Sequence, residues 1–213
     1  KDYKMTYEDG ILEVVNELDA SPTPTLEFKF RPGAAFQAGD FTLSTLYFQG
    51  DLITAAGEFG LVLQTSDGGA TWVRRGAALS PRDPDTPYWI ASTGRDDTII
   101  LVGAAGAVQQ SDDRGVTWTA WPQPAGTAGV FGAYLPSGSS PLIVGAVGLL
   151  GEGDGGDWRL VDRSALQLYS WLKPIVVLED NTLLSLGGRG SCVFRKGTGD
   201  WERCRIRLND DNA

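Results

Sequence analysis

Asp97-Thr-Ile-Ile-Leu-Val-Gly103-Ala-Ala-Gly106 is followed after four residues by Ser111-Asp-Asp113-Arg-Gly115-Val-Thr117-Trp118. The first stretch is a β-rich apolar run closed by a Gly-x-x-Gly turn; the second is an Asp/Gly turn closed by tryptophan. Working outward, the glycine pair recurs at Gly57/Gly60, Gly145/Gly148 and Gly187/Gly190, with tryptophans at Trp72, Trp158 and Trp201. Each tryptophan stands 13 to 15 residues after its first glycine, and successive ones lie 46, 40 and 43 residues apart (72 to 118, 118 to 158, 158 to 201). A period of this length, built from short strands, predicts an all-β protein: a β-propeller of four-stranded antiparallel blades with four clear repeats.

We divide the chain, taken as one domain over 1–213, into blades at 41–80, 81–126, 127–166 and 167–208. Residues 1–40 are expected to form a divergent fifth blade or a closing strand. There, Ile11–Val15 and Thr25–Phe30 read as two strands around the Ser21–Pro24 break; a short helix over 8–19 is the alternative. The second strand of each blade reads Asp51–Gly57, Asp97–Gly103, Pro141–Gly145 and Asn181–Gly187, and Leu46–Gly50 reads as a first strand and the turn after it. The glycines of Gly-x-x-Gly are expected to tolerate positive φ and to leave neighbouring backbones room. No helix pattern and no Lys-Ser/Thr follows them, so they do not cradle phosphate.

The tryptophan turns carry a motif of their own. Thr65-Ser-Asp67-Gly-Gly69-Ala-Thr71-Trp72 and Ser111–Trp118 are sharp copies; Asp154-Gly-Gly156-Asp-Trp158 and Gly197-Thr-Gly199-Asp-Trp201 are decayed ones. Each aspartate is expected to accept backbone N–H groups within its turn, each glycine to supply a left-handed φ, and each indole to pack under the hairpin. These residues resemble the Asp-box, or BNR repeat, Ser/Thr-x-Asp-x-Gly-x-Thr-Trp. With the preceding strand and glycine pair, residues 41–208 resemble the photosystem II stability/assembly factor family of propellers. The resemblance implies a non-catalytic, protein-binding propeller of about seven blades, exported to a thylakoid lumen or periplasm, that helps a membrane or envelope complex assemble.

Composition narrows the alternatives. The 213 residues include no histidine, which removes Ser-His-Asp and Cys-His catalysis and histidine metal ligation. A net charge of −9 argues against a nucleic-acid surface, and no apolar run is long enough to span a membrane. No cofactor or metal site is readable. Glu152, Asp154 and Asp157 lack calcium-loop spacing and read as a solvated turn. The Asp-box also occurs in sialidases, so a glycosidase or lectin with a glycan ligand is the alternative function. That reading lacks its Arg-x-Pro signature, which Phe30-Arg-Pro-Gly33 only approximates. Asp67, Asp113 and Asp154 read as turn scaffolding and not as acids, because each repeats at one structural place.

What differs between blades is where a partner would bind. The connection Arg74–Tyr88 is the longest and most charged, with Arg74, Arg75, Arg82, Asp83 and Asp85; Pro122–Val130 is neutral; the third connection carries Asp162, Arg163, Tyr169 and Trp171. The turns add Glu58, Phe59 and Arg189. Arg82, Trp89, Trp171 and Arg189 are the candidate partner-binding set, since Trp and Arg dominate interface hot spots; strand anchoring is the alternative for both tryptophans. Cys192 and Cys204 are symmetric about Thr198, the centre of the last hairpin, so we expect a cross-strand disulfide, with two buried thiols the alternative. A bridge would favour an exported protein. A third reading is a purely structural domain whose missing blades come from another chain; strand edges exposed at both ends of such an open ring would favour aggregation or dimerisation.

Overall fold

The computed structural model describes residues 3–8, 11–16, 41–76, 86–124, 128–154 and 157–204. Four four-stranded antiparallel sheets follow one another along the chain. Blade one is β3 (Leu43–Gln49), β4 (Leu52–Gly57), β5 (Val62–Thr65) and β6 (Val73–Arg75). Blade two is β7 (Trp89–Arg95), β8 (Thr98–Gly103), β9 (Val108–Ser111) and β10 (Thr119–Ala120). Blade three is β11 (Val130–Tyr134), β12 (Leu142–Gly145), β13 (Leu150–Gly153) and β14 (Trp158–Leu160). Blade four is β15 (Leu172–Val177), β16 (Thr182–Gly187), β17 (Cys192–Lys196) and β18 (Glu202–Arg203). No α-helix occurs among the described residues. The first strands pack on one another in sequence, β3 on β7, β7 on β11 and β11 on β15, so the first strand of each blade is the innermost.

Near the N-terminus, β1 (Tyr3–Glu8) pairs with β2 (Ile11–Asn16) in a two-stranded hairpin. Ile11–Val15 is thus strand and not helix, and it pairs with Tyr3–Glu8; Thr25–Phe30 lies outside the described residues. The reason is local. Register Glu8↔Ile11 leaves only Asp9-Gly10 between the strands, and Asp-Gly is a strong signal for a two-residue hairpin.

The core lies between blades because each sheet is apolar on both faces. Residues one and three before the first glycine of each turn face the following blade, and the residue two before it faces the preceding one. Ile100 and Val102 accordingly pack with Val130, Ile143 and Leu149, while Leu142 and Val144 pack with Leu168, Leu172, Leu183 and Val193. Between blades one and two, Ala56 and Val62 meet Trp89 and Leu101. Trp89 is 1% exposed and anchors this interface, so it presents no surface to a partner. Its place at the start of an innermost strand explains the correction to its expected role.

One polar side chain is built into that apolar seam. Gln64, buried on the face of blade one toward blade two, donates through Nε2 to the Arg114 carbonyl at 2.6 Å and to Thr54 Oγ1 at 3.0 Å. Its Oε1 accepts from Arg75 Nε at 2.9 Å. Thr45 and Ser92 add a hydroxyl pair at 2.6 Å across the same blades. A satisfied buried amide of this kind fixes how one blade sits on the next, whereas apolar contact alone tolerates sliding. Gln64→Leu leaves the Arg114 carbonyl without its donor, and is expected to destabilise the fold by about 2 kcal/mol, read as a lower urea midpoint with an unchanged slope.

Candidate functional site

The four Gly-x-x-Gly turns share one construction. In each, the first glycine is extended, with φ of −171°, −161°, −173° and −163° at Gly57, Gly103, Gly145 and Gly187. A Cβ there would run into the backbone just before the blade's innermost strand, at Thr42, Tyr88, Gly129 or Trp171. The same carbonyls accept the next N–H of the turn: Glu58 to Thr42 at 2.9 Å, Ala104 to Tyr88 at 2.9 Å, Ala146 to Gly129 at 2.8 Å and Gly188 to Trp171 at 2.9 Å. Close approach therefore explains the first glycine. Positive φ belongs to the last glycine and to the residue before it: Phe59, Ala105, Val147 and Arg189 all have φ 53°.

Blades three and four bring two of these tips together with the connection between them. Arg163 donates to the Val147 carbonyl at 3.0 Å, and the Leu168 N–H donates to the Arg163 carbonyl at 2.8 Å. Leu168 is fully buried in the core of blades three and four, packed so closely on Gly148 that a Cβ there would lie 2.7 Å from its own. With Leu168 plugged inward, Tyr169 is left 70% exposed and Trp171 48% exposed. The Trp171 indole lies over Gly188, where a Cβ would come within 2.6 Å of its Nε1, beside the exposed Arg189. The face thus joins Val147, Tyr169 and Trp171 to the cations Arg163 and Arg189. Of the candidate set, Trp171 and Arg189 are adjacent here; Arg82 lies outside the described residues. Val147 was missed, although its place in the repeat equals that of Arg189.

Hairpin turns alternate between the two ends of a blade, so the Asp-box turns occupy the opposite end. Asp67 Oδ1 accepts the Thr71 N–H at 2.9 Å and the Thr65 hydroxyl at 2.6 Å, while Oδ2 accepts the Thr71 hydroxyl at 2.6 Å. Asp113 repeats this with Thr117 N–H at 2.8 Å, Ser111 Oγ at 2.7 Å and Thr117 Oγ1 at 2.6 Å. Gly69 and Gly115 are at φ 94° and 85°, and Trp118 donates to the Gly115 carbonyl at 3.0 Å. In copy three Asp154 accepts the Asp157 N–H at 3.0 Å, and Gly156 lies outside the described residues. The Trp158 indole donates to the Pro122 carbonyl at 2.7 Å and packs on Trp121. In copy four Trp201 is buried under the Arg195 guanidinium, 5.2 Å from its ring centre. There Cys192 and Cys204 are joined by a disulfide with Cα atoms 5.2 Å apart, opposite each other at the start of β17 and one residue past β18.

A cleft of about 380 Å³ lies beside copy three, lined by Ser140, Glu152, Asp154, Asp157, Trp158 and Arg159. Glu152 is engaged by Arg159 at 2.6 Å, with Arg195 3.8 Å away. Among the described residues no three acidic or cysteine side chains converge as a metal-binding group.

The family model described as Photosynthesis system II assembly factor YCF48 matches residues 25–134, just over half of the sequence. The chain belongs to this family. It is similar to the photosystem II assembly lipoprotein Ycf48 of Synechococcus sp. (strain CC9902), 32% identical over 81 residues, or 38% of this chain and 23% of that protein. Its fold is similar to YCF48 from Cyanidioschyzon merolae, with a TM-score of 0.59 at 16% identity, covering 82% of this chain and 59% of that one. A solved YCF48 bound to D1 peptide superposes with a TM-score of 0.58 at 17% identity, covering 90% of this chain and 60% of that one. The chain thus spans about three fifths of the solved YCF48 chains, and its alignment spans less than a quarter of the Synechococcus protein.

Two outcomes follow from this geometry. Hydrogen bonding from Thr65 first, then Thr71, lowers the Asp67 pKa from 3.8 to about 2; Thr117 first, then Ser111, does the same for Asp113. A carboxyl lowered on folding adds stability above its unfolded pKa and loses it as pH falls through the folded value. Melting temperature is therefore expected to drop between 3.8 and about 2, and Asp67→Asn with Asp113→Asn to flatten that limb. At the other end, Val147 is β-branched and held at φ 53°. Val147→Gly relieves that conformation and is expected to stabilise the protein by about 1 kcal/mol in urea unfolding.

Proposed function

We propose that this chain is a non-catalytic, protein-binding propeller acting as an assembly or stability factor for a membrane or envelope complex, photosystem II being the complex of its family. The observation that carries this reading is the exposed face of Val147, Tyr169 and Trp171 flanked by Arg163 and Arg189. Rigid aromatics beside guanidinium groups favour a peptide segment over a small substrate, because they offer area and directed cations without an enclosing pocket. The solved YCF48 bound to D1 peptide supports a peptide or protein partner for this chain.

The chemistry elsewhere supports binding over catalysis. The Asp67 and Asp113 carboxylates are occupied by their own turns, and Glu152 is held by Arg159. An exported location, lumenal or periplasmic, is supported by the Cys192–Cys204 disulfide, which persists in oxidising compartments, and by the lipoprotein nature of the Synechococcus relative.

The test is fluorescence anisotropy with a labelled D1-derived peptide. Trp171→Ala and Arg189→Glu are each expected to weaken binding by about 10- to 30-fold, while Arg114→Glu at the Asp-box end leaves it unchanged. Binding indifferent to Trp171 and Arg189 would rule out this face, and no binding by the unaltered chain would rule out the partner.

A further inference from the structure

We propose that Arg203 is a positioning residue for the face of Tyr169 and Trp171, and that the Cys192–Cys204 disulfide keeps it in place. The proposal rests on the reading of that face as a peptide-binding surface. Its starting point is the backbone of the connection between blades three and four. The Gln167 N–H donates to the Ser164 carbonyl at 3.0 Å, and the Leu168 N–H to the Arg163 carbonyl at 2.8 Å. These two bonds form the Schellman pattern that usually ends a helix, with a left-handed residue at the place Gln167 occupies, most often glycine. Gln167 adopts that conformation at φ 52°. The reversal there sends Leu168 into the core and leaves Tyr169 and Trp171 outside.

A side chain at this position has a use that glycine would lack. Arg203 Nη1 donates to Gln167 Oε1 at 2.9 Å and to the Gln167 carbonyl at 3.3 Å. One guanidinium thus grips both the main chain and the side chain of the residue about which the segment turns, through charge-assisted bonds. Blade three shows the same plan with a different residue. Trp158, at the start of its fourth strand, donates to the Pro122 carbonyl in the connection that enters that blade. In blade four the corresponding Trp201 is buried beneath Arg195, and Arg203, two residues later, supplies the donor.

Arg203 needs support of its own, because β18 is two residues long, with register pairs Val193↔Arg203 and Phe194↔Glu202. The next residue, Cys204, donates its N–H to the Cys192 carbonyl at 2.9 Å and is bonded to Cys192 through sulfur. Cys192 in turn stands two residues after Gly190, which closes the turn carrying Arg189. The disulfide therefore fixes the short outer strand against the turn whose tip flanks Trp171, and Arg203 passes that fixed register on to Gln167. A segment held in this way has less freedom to lose when a peptide docks on Tyr169 and Trp171.

The first test needs no partner. Amide hydrogen exchange of residues 167–171, read by mass spectrometry, is expected to quicken about 10-fold in Arg203→Ala and in the double variant Cys192→Ala/Cys204→Ala, while the amides of β12 keep their protection. Unchanged exchange in the first variant would overturn the role of Arg203, and in the second that of the disulfide. The second test is anisotropy with the labelled D1-derived peptide. Arg203→Ala and Gln167→Ala are each expected to weaken binding about 5-fold, and the two together no more than either alone, since each breaks the same link. Additive losses, or a loss in Arg203→Ala without one in Gln167→Ala, would overturn positioning in favour of direct contact between Arg203 and the peptide. Trp171→Ala separates this proposal from the reading beneath it. Binding weakened by Trp171→Ala but untouched by Arg203→Ala ends the positioning role alone; binding indifferent to both, or no binding, ends the face together with it.

Discussion

The absence of a single methylene-sized group at four positions holds this architecture together. Gly57, Gly103, Gly145 and Gly187 each let a turn press against the backbone that enters the innermost strand of its own blade. The following N–H then bonds the carbonyl it has reached. That contact joins the first strand of a blade to the turn between its second and third strands, independently of any side chain. Once three strands are tied in this way, the alternation of side chains delivers one apolar row to each neighbouring blade. The inter-blade core is therefore a consequence of the turn, and the turn is a consequence of glycine.

The outer turns show how the same fold tolerates unequal copies. In blades one and two a carboxylate gathers three donors and locks the third strand to the fourth. Blade four lacks the Ser/Thr-x-Asp donors and acceptor, and a covalent bond between Cys192 and Cys204 ties the same two strands. Trp201 remains buried there under Arg195, so the indole outlives the hydrogen-bond network that accompanies it elsewhere. Hydrogen bonding and cross-linking are interchangeable at this position because both need only a fixed register between adjacent strands.

Much of the blade architecture was legible because its signals are local. The second strands, their terminal glycines and the tryptophan turns all depend on residues within a few positions of one another. What escaped depends on contacts distant in sequence. For Trp89 the sequence left partner binding and strand anchoring both open, and only the packing of blade two on blade one decides for the anchor. Gln64 carries no mark in the sequence of its role, since its partner is a carbonyl 50 residues away. The N-terminal hairpin is a different case: Asp9-Gly10 is a local turn signal, but Tyr3–Glu8 was not among the strands read from the sequence. At the candidate face, Trp171 and Arg189 were readable from residue type. Val147 was not, because valine at a left-handed position contradicts ordinary preference.

The third residue of each Gly-x-x-Gly turn has a wider consequence. Phe59, Ala105, Val147 and Arg189 share one backbone conformation while differing in size, charge and shape. Their conformation is set by the glycines on either side and by bonds between main-chain atoms. Each turn is accordingly a socket of constant geometry with an exchangeable insert. A lineage carrying this fold can change the shape and charge of one end of the propeller blade by blade while the inter-blade core stays as it is.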